Sequence, residues 1–465
     1  MLWLGLSRVI SGIIIFVVYV RLVTYLGPAE FGKFSLVLSF YTIALILMDL
    51  GISRYFTKKV APAKELAGVY VGNYLVIQSF VAFLLLAVFY LLPGWFKYDE
   101  SVARAMFIVG LGLSLGSLSI PFRVLADVWQ RLDIAALVNF MNTALTAGWM
   151  LLTILLRREF VFIFWIYLVL GVISIAVYAF LTRRWARPQL NIQWTLIRGM
   201  LIFGFPYAVI AGLEGLVQKL DVIVQKFFLS YSDVGLYSAA YRFLDFLTFI
   251  PAVVTLSVFP YLAEKVMLRD PEVNNILSRV SRYLVMLAIP IGVGGTIFAR
   301  EIVATLYNEQ YYGAVLPFQI LIWASVLTFL YAVPNAIMLL KRTNLTAMFL
   351  ALTVVFNGVA NWLLIPKWGI LGSAWITVVS YILLAAAYIW MARQEASFSL
   401  FRHFSWPIIA SAVMALVMLP LRNFNFFAVA GLGTLVYFST LLIVRFLRIE
   451  DFMLLKSILY KPRNP

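Results

Sequence analysis

Apolar runs of about 20 residues follow one another along almost the whole chain, and about 20 residues is what a helix needs to cross the hydrocarbon of a bilayer. No other property restricts the fold as tightly. Only 12% of the 465 residues are charged while 64% are hydrophobic, too few polar groups to cover a soluble surface of this size. The sequence therefore predicts an all-α, polytopic membrane protein. Fourteen spans can be drawn, from 5–26 to 427–444. The thirteenth (406–420) is short and interrupted by Pro407, which puts the count at twelve to fourteen. The first span carries Arg8 and no small-residue cleavage site, the pattern of a retained helix and not of a signal peptide.

Orientation follows from the basic residues of the short loops. Of 36 lysines and arginines, about two thirds fall on one side, among them Arg8, Arg54, Arg123 and Lys341, and about a quarter on the other. Both termini are then expected in the cytoplasm, with the protein in the cytoplasmic (inner) membrane. The net charge of +16 is mostly this topological bias, so no nucleic-acid partner is expected. The chain has no cysteine, and its one histidine, His403, lies in a loop. Thiolate metal sites, a cysteine nucleophile and a serine–histidine triad are thereby set aside. The longest gaps, at 52–67, 183–199 and 260–282, are too short to hold a soluble catalytic domain. The sequence points to a transporter and not an enzyme, with no cofactor.

An internal repeat organises the chain. YLGPAEFGKFS (Tyr25–Ser35) aligns without gaps on FLSYSDVGLYS (Phe228–Ser238), pairing Glu30 with Asp233, Gly32 with Gly235 and Ser35 with Ser238. Pro121 and Asn142 echo as Pro334 and Asn357 at slightly larger offsets. The expected division is 1–195 (six spans), 196–395 (six spans) and 396–465, two added spans with a basic tail. Six spans per copy keep both copies in one orientation, and transporters built this way place substrate between them. The basic loops 52–67 and 260–282 read as short helices lying on the membrane surface, and the tail from Arg445 as an anchor attracted to anionic lipid. The run GLGLSLG at 110–116 reads as a place where helices pack closely.

Charged residues inside the spans are the candidate site, because a charge at bilayer depth costs a few kcal/mol and by default marks a pathway or a pair. Glu214, Gln218, Asp221 and Gln225 lie on one helix face, within an arc of roughly 60°. Counting from the hairpin turn at 229–233, Asp221 and Arg242 sit at nearly equal depth. They form either a structural pair or one opened by an anionic substrate or a proton. The same arithmetic around 27–30 pairs Arg8 with Asp49 and leaves Arg21 without a partner, facing a wet cavity. Lys219 is deep enough to need a partner or water. Glu214 and, in the next span, Asp245 join Asp221 as groups on which a proton or Na⁺ gradient could act. Asn139 and Asn142 share a face of the fifth span, Asn357 and Asn361 one of the eleventh. Amides there can hold helices together or meet sugar hydroxyls.

Three segments carry a resemblance. They are LGPAEFGKFS with MDLGISR (Leu26–Ser35, Met48–Arg54), DVIVQKFFLSYSDVGLYSAAYR with FPYLAE (Asp221–Arg242, Phe259–Glu264), and NGVANWLLIPKWGILGSAWITVVS (Asn357–Ser380). Here the chain resembles the polysaccharide-transporter family, the lipid-linked oligosaccharide flippases related to the multidrug and toxin extrusion transporters. The resemblance implies a V-shaped alternating-access transporter of fourteen helices with a cationic cavity. Its implied task is moving polyprenyl-pyrophosphate-linked sugars to the periplasmic leaflet for O-antigen, capsule or exopolysaccharide. It places Arg8, Arg21, Arg54, Asp221 and Arg242 among the site candidates, with Val224 standing where the repeat would copy Arg21. Implied partners are the lipid-linked oligosaccharide and a glycan polymerase complex, with the protein itself a monomer. A flippase suits the basic cavity residues, since guanidinium groups recognise phosphate through paired donors. The alternatives are a cation-coupled drug exporter of the same superfamily and, from another class, a membrane-embedded polymerase or ligase.

Overall fold

Leu2–Leu47 (α1) is helical at both ends but reverses at Gly27, whose φ of 71° and ψ of 168° leave the helical region just before Pro28. In a straight helix Tyr19 and Phe34 would lie about 22 Å apart. Their ring centroids are 5.9 Å apart, so α1 is a helical hairpin and holds two of the expected spans. Glycine is suited to such a φ because it has no Cβ to clash. The computed structural model repeats the device at Gly369 (φ 56°) inside the stretch Thr343–Glu395, where Asn361 and Ser373 are again brought into contact across the reversal.

The structure describes residues 2–267, 270, 272–341, 343–395 and 403–447. After α1 come α2 (Ile52–Val60), α3 (Ala67–Trp95), α4 (Glu100–Ser117), α5 (Ile120–Val128), α6 (Leu132–Leu155), α7 (Phe160–Ile163), α8 (Trp165–Thr182) and α9 (Trp194–Phe228). Then follow α10 (Tyr231–Met267), α11 (Glu272–Ile297), α12 (Ala299–Leu306), α13 (Val315–Lys341), α14 (Thr343–Glu395), α15 (Ser405–Met418) and α16 (Phe426–Ile443). Ten stretches among the described residues are long and apolar enough to cross a membrane, and the hairpins of α1 and α14 lie within two of them. The all-helical membrane architecture expected from the sequence is what the chain adopts.

The chain forms two compact units. The first comprises Met1–Ala239 with 307–311 and 344–376; the second takes the remainder. In the first, α3 packs on α4, α4 on α8, and α1 on both α6 and α9. In the second, α11 packs on α13 and α15, and α15 on α16. There the Tyr437 hydroxyl donates to the Met286 carbonyl. The outer face of α3 presents Phe80, Phe83, Leu84 and Leu91, a patch that would be a liability in water and that lipid covers.

The interfacial helix expected at 52–67 is α2, which buries Ile52, Phe56 and Val60 and turns Arg54, Lys58 and Lys59 outward. Its counterpart at 260–282 does not form separately. α10 runs on to Met267, and α11 starts at Glu272 and keeps Leu277, Ser281 and Leu284 buried in one helical period with the span that follows. The glycines at 110–116 pack as expected, for a Cβ on Gly112 would lie 2.6 Å from the Tyr167 carbonyl carbon.

The repeat reappears as a contact. A Cβ on Gly32 would fall 1.8 Å from the Tyr231 carbonyl oxygen, and one on Gly235 would fall 1.9 Å from that of Pro28. The gapless alignment pairs Gly32 with Gly235 and Pro28 with Tyr231, so the repeat exchanges the two contacts. The aligned hairpin segments meet backbone to backbone.

Candidate functional site

A cavity of about 410 Å³ opens in the first unit, at the end of α1 away from Gly27 and between α4, α5, α6 and α8. Local sequence explains how it forms. α4 ends at Ser117 and α5 begins at Ile120 with Pro121 in its first turn, where a missing N–H does no harm. The Ser119 hydroxyl and its own N–H both bond the Gly116 carbonyl at the break. That break carries Arg123 round to face Asp49. Gly112 and Gly171 let α4 and α8 approach backbone to backbone behind the cavity, since a Cβ on Gly171 would lie 2.7 Å from the Gly112 carbonyl oxygen.

Asp49 is the best-held group of the cavity. Its Oδ1 accepts from the Tyr74 hydroxyl at 2.7 Å and from the Ser53 hydroxyl, one turn further along. Tyr74 is fully buried and also reaches the Asp49 carbonyl. The Arg123 guanidinium stands 4.0 Å from the same oxygen, at the limit of an ion pair. Its side chain is 44% exposed, so Arg123 is loosely held while Asp49 is tightly held. Tyr41 and Tyr167, with ring centroids 4.3 Å apart, form an aromatic wall. Asn139 and Asn142 of α6 line the cavity too, and the Asn142 Oδ1 is enclosed without a hydrogen-bond partner among the described residues. The structure thus gathers Asp49, expected to pair with Arg8, with Asn139 and Asn142, expected to share a face of another span.

In the sequence Arg123 reads only as a loop cation that contributes to orientation. The signal that could have found it is Pro121, which starts a new helix inside an apparent span and moves Arg123 from the loop to a cavity wall.

The remaining candidates lie elsewhere. Asp221 is buried at 2% exposure and accepts from the fully buried Tyr237 hydroxyl and, at 2.8 Å, from the Val222 N–H. Arg242 lies 3.6 Å from Asp245 on its own helix. Asn361 donates to Asn357 Oδ1 at 3.0 Å and accepts from Ser373 at 2.7 Å, an amide cluster tying the α14 hairpin together. The Gln225 amide, one turn beyond Asp221, is fully buried with neither polar atom partnered among the described residues. Arg21 is exposed, between buried Val20 and Leu22. The Arg54 guanidinium stacks 4.4 Å above the Tyr207 ring. Glu214 and Lys219 are half-buried on α9. The Arg8 side chain lies outside the described residues, so its expected pairing with Asp49 does too. No cluster of three or more histidine or acidic side chains able to hold a metal occurs among the described residues.

Comparison with known proteins adds a family and a fold. The model of the family described as "Polysaccharide biosynthesis protein" matches residues 1–266. An uncharacterized membrane protein of Methanocaldococcus jannaschii is 24% identical over 84% of this chain and 83% of its own length. A probable low-salt glycan biosynthesis flippase of Haloferax volcanii is 23% identical over 50% of this chain and 48% of its own. Among solved structures, a lipid II flippase in an inward closed conformation superposes with a TM-score of 0.79, at 13% identity, over 96% of this chain and 99% of that one.

Proposed function

The chain belongs to the polysaccharide biosynthesis protein family, and from that premise we propose that it is a flippase, carrying a lipid-linked glycan across the membrane and catalysing no bond making or breaking. The observation that carries the reading is the cavity itself. A paired carboxylate and guanidinium, two amides and a tyrosine wall converge inside a bundle of membrane-spanning helices. Polar groups enclosed among apolar helices are expensive and mark a route for polar cargo. A sugar headgroup can pass through such a wet space while its lipid tail stays in the bilayer.

On this reading the cargo is a polyprenyl-pyrophosphate-linked oligosaccharide destined for a cell-surface polysaccharide, moved from the cytoplasmic to the periplasmic leaflet by alternating access of the two six-span halves. Both termini lie in the cytoplasm. Exposed Arg21 and half-buried Arg242 are the anion-binding candidates. Asp221, Glu214 and Asp245 are the groups through which a proton or Na⁺ gradient would supply direction, buried Asp221 foremost. The basic face of α2, with Arg54, Lys58 and Lys59, meets anionic lipid headgroups, each worth about 1 kcal/mol near such a surface.

Deletion of the gene in the producing cell tests the reading. Surface glycan should disappear while its lipid-linked precursor accumulates, still assembled, on the cytoplasmic leaflet. Loss of assembly of the precursor itself would point instead to an enzyme.

A further inference from the structure

We propose that the cavity between α1, α4, α5, α6 and α8 is a subsite for an uncharged sugar unit of the glycan headgroup, a claim that rests on the flippase reading above. Its volume of about 410 Å³ falls at the lower end of the roughly 300–1,000 Å³ usual for small-molecule sites, enough for part of a headgroup.

Charge selects the class of ligand. Asp49 and Arg123, 4.0 Å apart, bring one charge of each sign, and Asp127 of α5 adds a second carboxyl close to both, so the site offers no net attraction to an anion. A phosphate approaching Arg123 also approaches Asp49, which Tyr74 and Ser53 hold in place. An organic cation is repelled by Arg123, the more exposed partner of the pair. A neutral ligand bearing several hydroxyls meets neither.

Hydrogen bonding narrows the class further. The enclosed Asn142 amide oxygen has no partner among the described residues, and a buried polar atom left unsatisfied costs about 1–3 kcal/mol. A hydroxyl both donates and accepts, so it answers this amide whichever way the group is turned. A fully ionised phosphate donates nothing. The Tyr41 and Tyr167 rings supply an apolar wall, suited to the C–H face of a pyranose as much as the amides suit its edge.

The chain's lack of cysteine makes the test direct. Ser174, a small residue of the cavity wall, is changed by Ser174→Cys to give the full-length protein a single thiol. The protein is placed in nanodiscs of zwitterionic lipid and labelled with a small neutral maleimide. Free hexoses and N-acetylhexosamines should slow labelling by a factor of 1 + [L]/Kd, about threefold at twice the Kd. Inorganic phosphate and tetraphenylphosphonium should leave the rate unchanged. Adding Asn142→Ala or, independently, Tyr41→Leu should abolish protection in protein whose melting temperature is unchanged. Protection by phosphate or by the cation in place of sugar, no protection by any sugar of the panel, or protection that survives both changes overturns the proposal. The assay needs no transport. Translocation of lipid-linked glycan without sugar protection would remove the subsite and leave the flippase reading standing, and protection without translocation would do the reverse.

Discussion

Asp221 lies within the apolar helix α9 and Asp49 in the turn that follows α1, and each carboxylate is held by a tyrosine: Tyr237 for the first, Tyr74 for the second. Tyr237→Phe removes a donor from a buried acceptor and should lower stability by about 1–3 kcal/mol, read as a fall in melting temperature of the purified protein. An unchanged melting temperature would mean that the hydroxyl contributes nothing. Between α10 and α11 the Lys265 ammonium lies 2.6 Å from Asp270 and 2.7 Å from Glu272. This holds the Asp270 carboxyl below its usual value, while hydrogen bonds to the same two acids raise the Lys265 ammonium. Asp270 therefore contributes stability above its unfolded value, near pH 4, and loses it as pH falls through its lowered folded value. Lys265 contributes below its unfolded value and loses that only as pH rises through its raised one. The melting difference between wild type and Asp270→Asn should accordingly be present at pH 7 and vanish on strong acidification. A difference that persisted at low pH would contradict the assignment. At this scale the sequence revealed residue type and depth, hence Asp49, Asp221 and the amides. It could not reveal Arg123, whose place depends on a helix break that hydropathy averages over.

Helical elements were largely legible because apolar length is a strong signal, and the aligned segments 25–35 and 228–238 do meet. The alignment of Gly32 with Gly235 became a physical contact in which each glycine makes room for a carbonyl of the other hairpin. Gly32→Ala should cost about 1–3 kcal/mol as an overpacked contact. Gly148→Ala, in α6 with nothing within 4 Å of the added atom, should be neutral or slightly stabilising. Thermal unfolding of both variants separates the outcomes, and equal effects would deny the contact. What the sequence hid at this scale is the strap between α8 and α9. The buried Asn73 side chain donates to the Asn191 carbonyl and accepts from the Gln193 N–H, while the Gln189 N–H bonds the Gly68 carbonyl. Residues that bond to backbone more than a hundred positions away leave no periodicity to read. The expectation of a surface helix at 260–282 failed for a related reason. Charges alternating with apolar residues fit an interfacial segment as well as the end of a long span, and only burial of Leu277 and Leu284 separates the two.

For the molecule as a whole, family membership and a fold shared with a lipid II flippase agree with a cavity whose lining is polar, aromatic and electrically balanced. Movement of a lipid-linked glycan can be measured directly by reconstitution. The purified protein is inserted into vesicles whose inner leaflet carries a lipid-linked oligosaccharide, and arrival at the outer leaflet is followed by an impermeant glycosidase or lectin. Wild-type protein should expose the glycan faster than protein-free vesicles, faster still under a proton or Na⁺ gradient. Arg123→Ala should slow it by about tenfold or more, as expected for the loss of a charged hydrogen bond worth about 1.5–3 kcal/mol. Exposure no faster than in protein-free vesicles, with or without a gradient, would contradict the account.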